Sequence, residues 1–173
     1  MNCKADKKDL TRRLVEIVGD DAVLADEQEL VVYECDAYTL QKNLPTVVVL
    51  PKSVQEVAAI VRLCARLDLA IIPRGAGTSL SGAVLAVDGG VMITLTRMNR
   101  VLSIDPRNRR ALIEAGCVNA WITRDAAKHD LFYAPDPSSQ TACTIGGNIA
   151  TNSGGPHTSV SYTHLTLPTN REV

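Results

Sequence analysis

Leu69-Ala70-Ile71-Ile72-Pro73-Arg74-Gly75-Ala76-Gly77-Thr78-Ser79-Leu80-Ser81-Gly82 runs an apolar tetrapeptide straight into a glycine-rich decapeptide. The uncharged run reads as a buried strand, and the glycines end it. Glycine lacks Cβ, reaches positive φ and lets the backbone approach a ligand closely. Successive N–H groups in such a turn form a concave nest that suits phosphate oxygens. Thr78, Ser79 and Ser81 add hydroxyls, and Arg74 adds charge. A Gly/Ser surface turn has the same composition, so from this stretch alone both readings stay open. Two phosphate motifs are excluded. A P-loop carries Lys after its last glycine, where this chain has Ala83. The dinucleotide fingerprint needs G-x-G-x-x-G ahead of a helix, whereas Gly75, Gly77 and Gly82 have another spacing and no helical pattern after them.

Upstream, Thr46-Val47-Val48-Val49-Leu50 reads as a strand bounded by prolines. Ser53 and Glu56 form a capping box that starts a helix running to about Leu67. Val54, Val57, Ala58, Val61, Cys64 and Ala65 recur at helical spacing and are expected to face a sheet. The unit is strand–helix–strand, expected parallel and right-handed, with the glycine-rich loop at a strand C-terminal edge. Nearer the N-terminus, Asp9 is expected to cap a helix over Leu10–Val18, with Gly19 as its stop. Residues 20–44 show no period, and Tyr33-Glu34-Cys35-Asp36-Ala37-Tyr38 reads as a connecting segment.

Downstream the period shortens. Val91–Leu95, Val101–Ile104 and Ala111–Glu114 read as an antiparallel meander, with Asp105-Pro106-Arg107-Asn108 as a turn. Asn119 is expected to cap a helix over Ala120–His129, with Trp121 and Ile122 in the core and His129 answering the helix dipole. A second special block follows. Ala134-Pro135-Asp136-Pro137-Ser138-Ser139 is a rigid approach to Thr144-Ile145-Gly146-Gly147-Asn148-Ile149-Ala150-Thr151-Asn152-Ser153-Gly154-Gly155. The latter reads as neither helix nor strand but as a shaped loop packed through Ile145 and Ile149. Two such nests can together hold an extended ligand, a diphosphate at one and a hydrogen-bonding ring at the other.

Composition narrows the partners. A net charge of −1 argues against a nucleic acid held by counterion release, and 3% aromatic residues argues against base stacking. The longest apolar runs, Val57–Val61 and Ala83–Val87, fall far short of the ~20 residues of a membrane-spanning helix. Five scattered cysteines, with no C-x-x-C and no His at zinc spacing, predict no metal site and a reducing compartment. The expected location is the cytoplasm, and association with a membrane-bound complex stays open.

Four blocks occur in order: P-R-G-A-G-T-S-L-S-G, R-M-N-R-V-L-S-I-D, P-D-P-S-S and T-I-G-G-N-I-A-T-N-S-G-G-P. Together they resemble the FAD-linked oxidases of the vanillyl-alcohol-oxidase and p-cresol-methylhydroxylase (PCMH) type, within them the glycolate oxidase D-subunit and D-lactate dehydrogenase group. The resemblance covers roughly residues 8–157. It implies an α+β, PCMH-type FAD-binding fold: a first lobe with the strand–helix–strand unit and a short mixed sheet, and a truncated second lobe. The implied division is 1–44 as an N-terminal helical and connecting segment, 45–157 as an incomplete FAD-binding domain, and 158–173 as an appended, non-native tail.

The resemblance assigns the FAD diphosphate to Arg74, Gly75, Ala76, Gly77, Thr78 and Ser79, with Pro73 and Gly82 shaping the loop. It assigns the ribityl chain and flavin ring to Pro135, Asp136, Ser138, Thr144, Gly146, Gly147, Ala150, Thr151 and Asn152. The implied reaction is oxidation of a 2-hydroxy acid, of the glycolate or D-lactate type, to the 2-oxo acid by hydride transfer to flavin. A second electron acceptor follows, for which another oxidase subunit is a candidate. No catalytic residue is assigned, because in this family the substrate groups come from a later domain. FAD binding by this chain alone is expected to be weak or absent, and the fragment inactive. The alternatives from the residues are a non-catalytic nucleotide- or phosphate-binding module and a partner-binding lobe.

Overall fold

The computed structural model describes residues 6–86 and 89–156; the tail assignment for 158–173 lies outside them. The chain divides into two compact units, one ending at Met98 and one beginning at Asn99.

The first unit is built on a four-stranded sheet. β1 (Val23–Leu24) pairs antiparallel with β2 (Val47–Val49), and β4 (Val91–Thr94) lies parallel between β2 and β3 (Ile71–Arg74). α1 (Lys7–Val18) and α3 (Val54–Arg66) bring Leu10, Leu14, Ile60, Leu63 and Cys64 onto one cluster with Val47, Val49, Val91 and Ile93. Val48, Ile72 and Met92 pack in a separate cluster with Leu30, from the short helix α2 (Glu27–Leu30), and with Val84 and Ala86. The alternate residues of β2 and β4 thus enter different clusters. That is why these strands carry unbroken apolar runs instead of alternation. β3 is an edge strand, the position in a sheet that tolerates Pro73.

Several expectations are corrected here. Val91–Thr94 belongs to the parallel sheet and not to a meander, because its apolar run needs cover on two sides. β2 and β3 do run parallel, as the strand–helix–strand unit predicts, with β4 between them. β3 begins at Ile71 and extends into Pro73 and Arg74, so the loop starts two residues later than its composition suggests. On α3, Ser53 caps as expected, its hydroxyl accepting from Glu56 N–H at 3.2 Å. The buried face is Ile60, Leu63 and Cys64, whereas Val54 and Val61 are exposed. The continuous apolar run Val57–Val61 leaves the face ambiguous to a periodicity argument. α1 is capped by Asp6, which accepts from Lys8 N–H; Asp9 instead pairs with Arg12 and Arg13.

In the second unit, β5 (Val101–Asp105) and β6 (Arg110–Ile113) form an antiparallel hairpin. The Asp105 carboxylate accepts from the N–H and the side-chain amide of Asn108, which closes the turn. α4 (Asn119–Ala126) runs into a 3-10 turn over Ala127–His129 and stops at Asp130, in the left-handed region. α5 (Ile145–Thr151) follows. Cys117, Ile122 and Ile145 form the core, with Val101, Ile113 and Tyr133 packed against them. Val118 is the N-cap position of α4, and Asn119 is its first helical residue. Trp121 is part-exposed, with the Arg124 guanidinium 5.5 Å from its ring centroid, and is not a core residue.

Candidate functional site

The first candidate loop leaves the C-terminal end of β3. Gly77 has φ +71°, while Ala76 and Thr78 keep negative φ, the alternation that turns successive N–H groups toward one concavity. Among the described hydrogen bonds, the N–H groups of Ala76, Gly77, Thr78 and Ser79 donate to no protein acceptor. Backbone donors left open in a part-buried loop are what an anion requires. The Ser79 and Ser81 hydroxyls lie 2.8 Å apart, and Ser81 N–H donates to Ser79 Oγ. Gly82, at φ +69°, turns the chain, and Leu85 N–H closes on its carbonyl at 3.1 Å.

Arg74 does not extend freely into solvent. Its Nη1 donates to the Cys35 carbonyl at 2.9 Å, and its guanidinium lies 5.4 Å from the Tyr33 ring centroid. Burial lowers its pKa, and the neighbouring Tyr33, Asp36 and Cys35 oppose that shift. A Cβ on Gly77 would stand 2.6 Å from Arg74 Cζ, so glycine is required by both space and φ. Ala37 N–H donates to the Gly77 carbonyl at 3.1 Å. Asp36 is only 5% exposed; its Oδ1 accepts from Tyr38 N–H at 2.9 Å.

The second block is more regular than its glycines suggest. Residues 145–151 form a helix, which corrects the loop expectation. Thr144 is its N-cap, with Oγ1 accepting from Gly147 N–H at 3.4 Å, and Asn152 ends it in the left-handed region. Gly146 is where the helix touches its support: a Cβ there would be 2.9 Å from both the Cβ and the carbonyl oxygen of Ala115. Ile145 is buried, whereas Ile149 is 73% exposed and packs no core. Ala150, Thr151 and Asn152 are exposed, and Thr151 Oγ1 donates to the Gly147 carbonyl at 2.9 Å.

Pro135 is buried, and Asp136 N–H donates to the Gly154 carbonyl at 3.0 Å. Ser138 is exposed. The two parts of the second block are therefore in backbone contact. Asn119, which a capping argument misassigns, holds them from below. It is 1% exposed and donates Nδ2 to the Pro135 carbonyl at 3.3 Å, while its own N–H donates to the Cys143 carbonyl. An Asn in an otherwise apolar helix start was the available signal. Next to this block lies a cavity of about 780 Å³, lined by Ile104, Leu112, Ile113, Phe132, Gly146 and Ile149 among others. Among the described residues, no group of three metal-ligating side chains occurs, and no helix is long and apolar enough to cross a membrane.

Comparison with known proteins joins these features. Residues 45–166 match the family model described as FAD binding domain. The chain is 43% identical over 152 residues to glycolate oxidase subunit GlcD of Escherichia coli K12, covering 88% of this chain and 30% of that protein. It is 44% identical over 114 residues to D-lactate dehydrogenase of Anaerostipes hadrus, covering 66% of this chain and 24% of that one. Among solved structures, alkyldihydroxyacetonephosphate synthase superposes with a TM-score of 0.81 at 28% identity, over 88% of this chain and 30% of the other. p-Cresol methylhydroxylase with substrate bound superposes at 0.68 and 23% identity, over 84% and 28%, which shows the shared α+β fold. The chain thus spans about 30% of the length of the GlcD relative.

Proposed function

The chain belongs to the FAD-binding domain family of the PCMH-type flavin oxidoreductases, with FAD as cofactor, and from that premise we propose that it is the cofactor-binding part of an enzyme that oxidises a 2-hydroxy acid of the glycolate or D-lactate type. The observation that carries this reading is the loop after β3. Open N–H groups from Ala76 to Ser79 around a positive-φ Gly77 fit a diphosphate, in a chain 43% identical to a glycolate oxidase subunit.

The residues divide the work as follows. Gly75 to Ser79 bind the diphosphate through backbone donors, and Pro73 and Gly82 set the two ends of their loop. Thr144, Gly146 and Gly147 present the start of α5, and Pro135, Asp136 and Ser138 form its approach; with Ala150, Thr151 and Asn152 they would hold the ribityl chain and ring. The chemistry a bound FAD would supply is acceptance of a hydride from the substrate α-carbon and its onward release as electrons to a second acceptor. The protein's part is to orient that ring and exclude water from it. We assign no base and no carboxylate-binding cation within this chain. Another subunit is the proposed acceptor, in keeping with the subunit status of GlcD, and the cytoplasm is the proposed site of action.

The test uses the longer protein that contains this sequence, loaded with FAD. Anaerobic addition of glycolate or D-lactate should bleach the flavin absorbance. A flavin that stays oxidised with both acids, while dithionite bleaches it, would defeat the substrate assignment.

A further inference from the structure

The segment Tyr33–Tyr38, upstream of the region matched by the family model, touches the candidate loop at several points. Arg74 Nη1 donates to the Cys35 carbonyl, the guanidinium covers the Tyr33 ring, and Ala37 N–H donates to the Gly77 carbonyl. Tyr38 Cδ1 lies 3.7 Å from where a Gly82 Cβ would be. Asp36, buried beneath, fixes the turn of the segment through Tyr38 N–H. Gly77 packs against the Arg74 guanidinium closely enough that no side chain fits between them.

We propose that Tyr33–Tyr38 is a brace that holds the Gly75–Ser79 loop in its anion-receiving shape, and that Arg74 is a positioning residue within it, not a phosphate ligand. The inference rests on the loop being the diphosphate site, but it assigns Arg74 a different role from the one its motif suggests. A phosphate ligand must offer its guanidinium fork outward. Here one nitrogen is committed to a carbonyl and one face to an aromatic ring, an arrangement a lysine cannot reproduce. The brace acts by sparing the ligand the cost of ordering the loop.

Two variants of the 173-residue chain separate the roles: Arg74→Lys, which keeps the charge, and Tyr33→Leu, which leaves the charge untouched. Amide hydrogen exchange is read without ligand at Ala37 and Tyr38, whose N–H groups donate to the Gly77 carbonyl and to Asp36 Oδ1, and ADP affinity is measured by calorimetry at low and high salt. Both variants should speed exchange at these two amides about tenfold, as expected for loss of local protection. Both should weaken ADP by a similar factor, with the salt dependence unchanged. Unaltered exchange in either variant overturns the brace. A loss of ADP affinity confined to Arg74→Lys, or one that changes the salt dependence, makes Arg74 a direct ligand and also overturns it. ADP, unlike FAD, needs only the first loop, which lies wholly within the first unit, so a wild-type chain that binds no ADP while the variants exchange faster would reject the diphosphate assignment and leave the brace standing.

Discussion

Individual residues do different jobs in the first unit, and two glycines show the contrast. Gly77 is needed for its φ and for room beside a flexible guanidinium, whereas Gly90 is needed because a Cβ would strike the Ala70 carbonyl carbon at 2.9 Å. Gly77→Ala must displace the Arg74 guanidinium from its Cys35 hydrogen bond, so it should cost about 2 kcal/mol in all, most of it from the left-handed backbone. Gly90→Ala faces backbone that cannot yield and should cost about 3 kcal/mol, as overpacking does. Urea denaturation of both variants checks the order. A charged residue offers a pH test. Arg100 donates through its side chain and then its backbone N–H to Glu114, which holds that carboxyl below its ordinary value of 4.5. A depressed carboxylate stabilises above its unfolded value and loses that contribution as pH falls through the folded one. The urea midpoint of the wild type should therefore drop between about pH 5 and about pH 3 by more than that of Glu114→Gln.

Among the elements, α5 is the one that glycine composition hides. Two glycines in seven helical residues cost about 1 kcal/mol each in propensity. Close approach to Ala115 explains Gly146, and the Thr144 cap offsets part of the cost. Thr144→Ala should lower stability by about 1 kcal/mol, and Gly146→Ala by about 1–3 kcal/mol through the Ala115 clash. Thermal melts followed by far-UV circular dichroism would show both. What was legible in the sequence follows from what is local. The Ser53 cap and the β2 run each depend on neighbouring residues and stand where their patterns put them, and the glycine turn begins two residues after its pattern does. The placement of β4 between β2 and β3 depends on a strand pairing across distant residues. The burial of Asn119 and the Arg74–Cys35 contact depend on partners 16 and 39 positions away, which periodicity does not encode. The first loop was visible from composition; the helical form of the second block and the side chains that support both were not.

For the molecule as a whole, both units leave large apolar side chains exposed, Leu40 and Leu80 in the first and Phe132 and Ile149 in the second. Only the latter pair lines a wide cavity, with Phe132 75% exposed beside it. Exposed apolar surface of this kind binds hydrophobic dyes. The chain should enhance anilinonaphthalene sulfonate fluorescence, and Phe132→Ser with Ile149→Ser should abolish most of that signal while leaving the urea midpoint within about 0.5 kcal/mol of wild type. The strand order of the first unit also bears on how the protein is made. Among the described residues, β4 is the strand that joins β2 to β3, and it is the last of the four in sequence order. During synthesis, the earlier strands leave the ribosome with their shared neighbour still untranslated. The nascent glycine turn therefore has no finished sheet to stand on until Thr94 has emerged, and a ribosome paused before Val91 would hold an open, aggregation-prone intermediate.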